Sequence, residues 1–187
     1  DTVLVAVVGT RRPTEGGRRA AWDLGRACAD LGLGHISGLA FGIDAASHAG
    51  CLDAGGASLA VLPSGLDCLS PKAHASLAGR IVDRGGAMVT EYVPGVRAAP
   101  WRFLVRNRII AGLAPLTIVV EAPQRSGAVS TAGHALAAGR DVWVHAAGTA
   151  GPRSGGSRKL VFEGARILTS LGEVIGEYDW IAGKIRG

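Results

Sequence analysis

Short apolar runs alternate with helix-length segments along almost the whole chain, and that alternation constrains the fold more than any other feature. The runs VLVAVV (3–8), LGHIS (33–37), SLAVL (58–62), AMVT (87–90), LTIVVEA (116–122), DVWVHA (141–146) and ARILT (165–169) have the length and side-chain content of strands. Between them the pattern predicts helices over roughly 16–31, 43–54, 72–84, 103–113 and 127–138. A short helix is expected after the Gly/Pro/Ser loop at 148–157, and a last one in the tail from Ser170. In the first helix Trp22, Leu24, Ala27 and Leu31 mark one face. The strands are apolar throughout instead of alternating, so both faces of each must be covered, and strands joined by helices run parallel. The expected fold is α/β, a doubly wound, mostly parallel sheet with helices on both faces. A chain of 187 residues that is 48% apolar can fill one such core. That domain is expected to span residues 1–175, with 176–187 a C-terminal tail or the start of a missing flanking region.

Several classes are disfavoured at once. No stretch reaches the ~18 uncharged apolar residues of a membrane span. The opening DTVLVAVVGT lacks the basic start of a signal peptide and reads as a buried first strand. Cys28, Cys51 and Cys68 are odd in number and contain no CxxC, which argues against a disulfide framework and a zinc knuckle and suits a reducing cytoplasm. The five histidines lack metal-ligand spacing, and no GxSxG elbow or carboxylate pair stands out. No metal, cofactor or catalytic residue is expected.

In doubly wound sheets ligands sit outside the carboxyl ends of the strands, where helix N-termini aim amide donors at anions. The segments there are rich in glycine and small hydroxyl residues. GTRRPTEGG (9–17) lacks the GxGxxG of a dinucleotide site, and GPRSGGSRK (151–159) lacks the lysine and the strand-to-helix setting of a P-loop. In SGLAFGID (37–44), Ser37 and Gly38 close a strand, Gly42 permits a tight backbone and Asp44 can cap the next helix. In EAPQRSGAVST (121–131), Ser126 and Gly127 open a helix and form a seat for phosphate. Asp44, Asp67, Glu91 and Glu121 either converge or serve separately as loop and cap acids.

The segment RFLVRNRIIAGL (102–113) carries the sharpest signal. Arg102, Arg106 and Arg108 stand among Phe103, Leu104, Val105, Ile109 and Ile110. From Arg97 to Arg125 there are five arginines and one acid, Glu121, in a chain of net charge +5. On an ideal helix Arg106 and Arg108 point about 200° apart. Both reach one target only if residues 102–107 arrive as a loop and the helix starts near Asn107. Guanidinium groups match phosphate bidentately. Trp101 and Phe103 can stack on bases, although core packing is the stronger expectation for each.

Seven ordered motifs between Val3 and Ile175 carry a resemblance: VGTRRPTEGG, SGLAFGIDAASH, AVLPSGLDCLSPK, TEYVPG, RFLVRNRIIAGL, VVEAPQRSGAVSTAGHALAAGRDVWV and KLVFEGARIL. The chain resembles the Rossmann-like core of the DNA-processing protein A family (DprA, also called Smf). The resemblance implies single-stranded DNA binding without sequence preference, loading of a RecA-type recombinase during natural transformation, and a homodimer. It places DNA binding on Gly9, Thr10 and Arg11, on Ser37, Gly38 and Gly42, on Lys72, on Arg106, Asn107 and Arg108, and on Ser126 and Gly127. Leu160 and Val161 become dimer contacts. Arg11, Lys72, Arg106 and Arg108 would neutralise phosphates, cradled by the amides of Gly38 and Gly127.

Some positions depart from the family pattern. Ser70-Pro71 replaces Tyr-Pro, Phe103-Leu104 replaces Phe-Pro, Ala147-Gly148 replaces Pro-Gly, and Gly16-Gly17 replaces Tyr-Gly. The rival expectation is a nucleotide-binding protein or a nucleoside-monophosphate phosphoribohydrolase of the same superfamily. Such hydrolases carry a Pro-Gly-Gly-x-Gly-Thr loop followed by an acid. RSGAVSTAGHA lacks that Pro-Gly-Gly and has His134 in place of the carboxylate, which disfavours hydrolysis. A sensor of a free nucleotide would share the same pocket.

Overall fold

The computed structural model describes residues 2–175 and Tyr178. The rest of the expected 176–187 tail lies outside the described residues. β1 (Leu4–Val8) runs at the centre of a seven-stranded sheet of order β4-β3-β2-β1-β5-β6-β7, and all six pairings are parallel. The chain steps outward through β2 (Gly34–Ser37), β3 (Ser58–Val61) and β4 (Ala87–Val89). It then returns to the other side of β1 for β5 (Leu116–Val119), β6 (Asp141–His145) and β7 (Arg166–Leu168). Because the winding direction reverses between β1 and β5, the helices divide between two layers. α1 (Glu15–Asp30), α2 (Ile43–Asp53), α3 (Ala75–Asp83) and α7 (Leu171–Ile175) cover one face. α4 (Pro100–Leu113), α5 (Gly127–Ala137) and α6 (Gly155–Phe162) cover the other.

This division explains the unbroken apolar strands. Val5, Val7, Leu116 and Ile118 pack beneath Ala21, Leu24 and Cys28 of α1 and Leu171 of α7. Ala6, Val8 and Val119 face Ile110 and Ala111 of α4 and Ala128 and Ala132 of α5. Among the described residues no helix is long and apolar enough to cross a membrane.

Four local expectations are corrected. The face of α1 that meets the sheet is Ala20, Ala21, Leu24 and Cys28, with Ala27 and Leu31 at its margin. Trp22 lies outside it and donates Nε1–H to Asp53 at 3.0 Å. The helix expected over 72–84 divides into a 3-10 turn at Lys72–His74 and α3. α6 begins inside the 148–157 loop. α4 begins at Pro100 and not near Asn107: proline at the first helical position has no N–H to leave unpaired and presets φ.

α1 and α2 cross with their backbones in contact. A Cβ on Gly25 would overlap the Ser47 carbonyl oxygen, and one on Gly50 would overlap that of Trp22. Glycine is the residue that allows this approach from both sides.

Candidate functional site

The loops leaving the carboxyl ends of β1 and β5 diverge where the winding reverses, and a cleft of about 560 Å³ opens between them. Of the expected residues, Gly9, Thr10, Arg11, Arg106, Asn107, Ser126 and Gly127 line it; Ser37, Gly38, Gly42, Lys72 and Arg108 do not.

The expected glycines of the first two loops set backbone positions. Gly9 leaves no room for a side chain because Ile43 packs against it. Gly42 has φ +81 and lies against the Thr10 carbonyl, which also accepts from the Ile43 N–H at 3.2 Å. The loop that carries Arg11 is thereby held against the start of α2. Ser37 is buried and donates its hydroxyl to the Val7 carbonyl at 2.7 Å.

Gly38 differs from expectation. Its N–H donates to Asp44 Oδ2 at 3.1 Å, as does the Ala40 N–H at 3.3 Å, and the Leu39 N–H donates to His48 Nε2 at 3.3 Å. These successive amides form the concave arrangement that binds anions, and the chain's own carboxylate occupies it. The Gly38 amide is therefore not open to phosphate, and Asp44 caps this turn and not α2. Leu39 is fully buried at φ 56, a left-handed conformation that costs a leucine about 1–2 kcal/mol. His48 holds its N–H, and the Nδ1–H of His74 donates to its carbonyl at 2.8 Å.

Since Nε2 of His48 accepts the hydrogen bond from Leu39, its Nδ1 carries the hydrogen and donates to Ser58 Oγ at 2.7 Å; the Ser58 hydroxyl in turn reaches Nδ1 of His35 at 2.7 Å. Both imidazoles are wholly buried. Desolvation lowers His35 to about 3 and takes His48 well below the usual histidine range, helped there by the charges around it, including His74 and Arg106.

Arg106 is 3% exposed. Its Nη1 donates to the Gly38 carbonyl at 2.8 Å and to the Val61 carbonyl, and its Nε to Asn107 Oδ1 at 3.3 Å. The guanidinium lies so close over Gly38 that a Cβ there would strike it. Burial pulls its pKa down to about 10 while Asp44 raises it, so it stays charged at neutral pH. Burial pushes the Asp44 carboxyl up, opposed by Arg106 and the two amides. Arg106 is thus a cation of the cleft floor whose counter-charge lies within the protein. Asn107 clasps the start of α5 through Nδ2–H to the Gly127 carbonyl at 3.1 Å, and Ser126 caps α5 by accepting from the Val129 N–H at 3.4 Å. As the first residue of α5, Gly127 has an N–H with no intrahelical acceptor.

Because α4 is helical from Pro100, Arg108 turns away from Arg106, is exposed, and pairs with Glu91 outside the cleft. The loop acids do not converge. Asp67 accepts from the Gly95 N–H, and Glu121 accepts from the N–H and hydroxyl of Thr14, each at 2.9 Å. Among the described residues no three His, Cys, Asp or Glu side chains are grouped to hold a metal ion.

Sequence reasoning missed how the cations are sorted. Arg18, Arg19, Arg26, Arg80, Arg108 and Lys159 each have a carboxylate partner. Arg11, Arg12, Lys72, Arg97, Arg102, Arg125 and Arg153 lie on loops or first helical turns at the carboxyl end of the sheet, and none of them pairs with a carboxylate among the described residues. Elsewhere among the described residues Arg84, Arg140 and, within α6, Arg158 share that condition. The positive field is concentrated at the rim of the cleft. There Arg11 also stacks on Phe103, 4.7 Å from the ring centroid.

Of the expected dimer contacts, one faces inward. Leu160 is 4% exposed and belongs to the core beneath α6; Val161 is half-buried, and Phe162 beside them is 93% exposed.

Comparison with known proteins agrees with this architecture. A DNA processing protein DprA from Mycobacterium tuberculosis, named as putative, is 41% identical over 182 residues, covering 97% of this chain and 46% of that one. The structure of DNA processing protein A from Streptococcus pneumoniae superposes with a TM-score of 0.84 at 37% identity, over 95% of this chain and 62% of that one. The Helicobacter pylori protein, described for its single-stranded DNA binding mode, gives 0.85 at 26% identity, over 94% and 79%. The chain spans about half the length of the curated relatives it matches. The family model for DNA recombination-mediator protein A matches residues 1–179, and with the shared sheet and ordered motifs it shows that the chain belongs to that family.

Proposed function

We propose that this domain binds single-stranded DNA without sequence preference, holding the strand by its phosphates along the cationic rim and in the cleft between β1 and β5. The carrying observation is the set of arginines and lysine around that cleft that have no carboxylate partner among the described residues, in a chain of this family. The Helicobacter pylori relative's binding mode supports the same reading. Phosphate contacts position a strand but do not read its sequence. Of the four cations expected to neutralise phosphates, Arg11 and Lys72 are exposed and without a carboxylate partner among the described residues, and the Gly127 amide at the N-terminus of α5 is the anion seat. Ser37, Gly38, Gly42 and Arg106 shape the cleft from beneath. Arg108 contributes little while it is paired with Glu91.

If about four phosphates are neutralised, the logarithm of oligo-dT affinity falls with the logarithm of salt at a slope of roughly −3. Arg11→Ala is expected to weaken binding about tenfold and to reduce that slope by about 0.7, with the thermal midpoint unchanged. Fluorescence anisotropy across a salt series checks both, and an unaltered slope in the variant defeats the assignment.

Binding, not hydrolysis of nucleoside monophosphates, is the favoured activity. Asp44, the acid of the cleft, lies 6% exposed with Oδ2 engaged by two amides. Loading of a RecA-type recombinase in DNA uptake and recombination is proposed on family membership, as is action in the cytoplasm. The homodimer is proposed to form through Phe162 and Val161 beside the edge strand β7, with Leu160 supporting them from the core. Phe162→Glu is expected to shift sedimentation from dimer to monomer while leaving the far-ultraviolet spectrum intact.

A further inference from the structure

Trp101, the second residue of α4, is 56% exposed and does not pack in the core. Its ring lies 5.0 Å from the guanidinium of Arg102, which lies at the same 5.0 Å from the ring of Tyr92. Arg102 is fixed in this position. Its Nη1 donates to the Arg97 carbonyl, its Nε is buried without a hydrogen-bond partner, and among the described residues no carboxylate pairs with it. Pro100 and Leu104, which flank Trp101 on the helix, line the cleft, so the residue belongs to the turn of α4 that borders it. The aromatic ring inside, Phe103, is already covered by Arg11.

We propose that Trp101, braced by Arg102 and Tyr92, is a stacking platform for a nucleobase of the strand whose phosphates the rim holds. The inference rests on the single-strand reading above. Two features favour a base here over an apolar protein surface. The neighbouring cations Arg97 and Arg102 have no carboxylate partner among the described residues and so suit a ligand carrying negative charge every few ångströms. The indole is exposed and stands on the helical turn whose Pro100 and Leu104 line the cleft, within reach of the base attached to the next phosphate. Stacking of this kind accepts any base, because every base has a π-face.

The test compares oligo-dT with an abasic deoxyribose-phosphate strand of equal length, bound to the whole chain. Trp101→Ala is expected to lower oligo-dT affinity about five- to tenfold and to leave abasic affinity unchanged. Trp101→Phe should recover most of the loss, and the salt slope should stay constant. Equal losses on both strands, or none on oligo-dT while Arg11→Ala still weakens it, would overturn the platform alone. Failure of the unmodified protein to bind either strand at low salt would instead remove the single-strand reading.

Discussion

Arg106→Ala is expected to destabilise the protein by about 3–5 kcal/mol and to weaken oligo-dT binding along with it. The guanidinium donates to both the Gly38 carbonyl, just past β2, and the Val61 carbonyl, at the end of β3, and it balances the buried charge of Asp44. Truncation leaves those buried acceptors without their partner and the carboxylate without its nearest compensating cation. The loss is a large share of the ~5–15 kcal/mol that holds a domain of this kind folded. Arg106→Lys should fall between the two, since an ammonium keeps the charge but lacks the fork that spans two carbonyls. Urea denaturation measures this directly. If Arg106→Ala unfolds at the same urea concentration as the unmodified protein yet no longer binds oligo-dT, the residue is a surface ligand and the buried role assigned to it is wrong.

Acidification is expected to cost about 4 kcal/mol of stability between pH 7 and pH 5. His35 and His48 are neutral in the folded protein, with pKa values displaced downward by burial, His35 to about 3. In the unfolded chain both titrate near 6.5. Below that value the unfolded chain takes up protons that the folded one refuses, so stability falls as pH falls, by about 2 kcal/mol for each histidine by pH 5. Asp44 acts in the opposite sense. Its raised pKa lets the folded state hold a proton more readily, so it offsets part of the loss as pH approaches the ordinary carboxylate range. A protonated His48 would also turn an N–H toward that of Leu39 and release the left-handed turn. Urea midpoints at the two pH values test the claim, and coincident midpoints would defeat it. His35→Gln should show about half the acid sensitivity of the unmodified protein, whatever its stability at pH 7.

Much of this architecture was legible because a doubly buried parallel strand leaves few alternatives. VLVAVV and LTIVVEA are apolar at every central position, and β1 and β5 lie within them. Helix starts were harder. RFLVRNR mixes charge and bulk around the whole helix, so periodicity could not find the beginning of α4, although Pro100 marked it. The arginine excess between Arg97 and Arg125 drew attention to the rim. It could not say that Arg106 goes inward while Arg108, two residues on, meets Glu91, because that choice belongs to the packing of α4 against β1 and β3. Gly38 was misread for a related reason. The carboxylate that fills its turn arrives from Asp44, six residues later, and nothing in the spacing distinguishes a cap for the helix ahead from one for the turn behind.

The backbone contact at Gly25 and Gly50 bears on how the molecule can flex. α1 and α2 cannot slide over one another without carbonyls colliding, so the wall bearing Arg11 and Gly42 behaves as one stiff plank. Any widening of the groove for a bulkier guest therefore falls to the opposite jaw, α4, which is tethered by the reach of Asn107 and Arg106 and not by interlocked main chains.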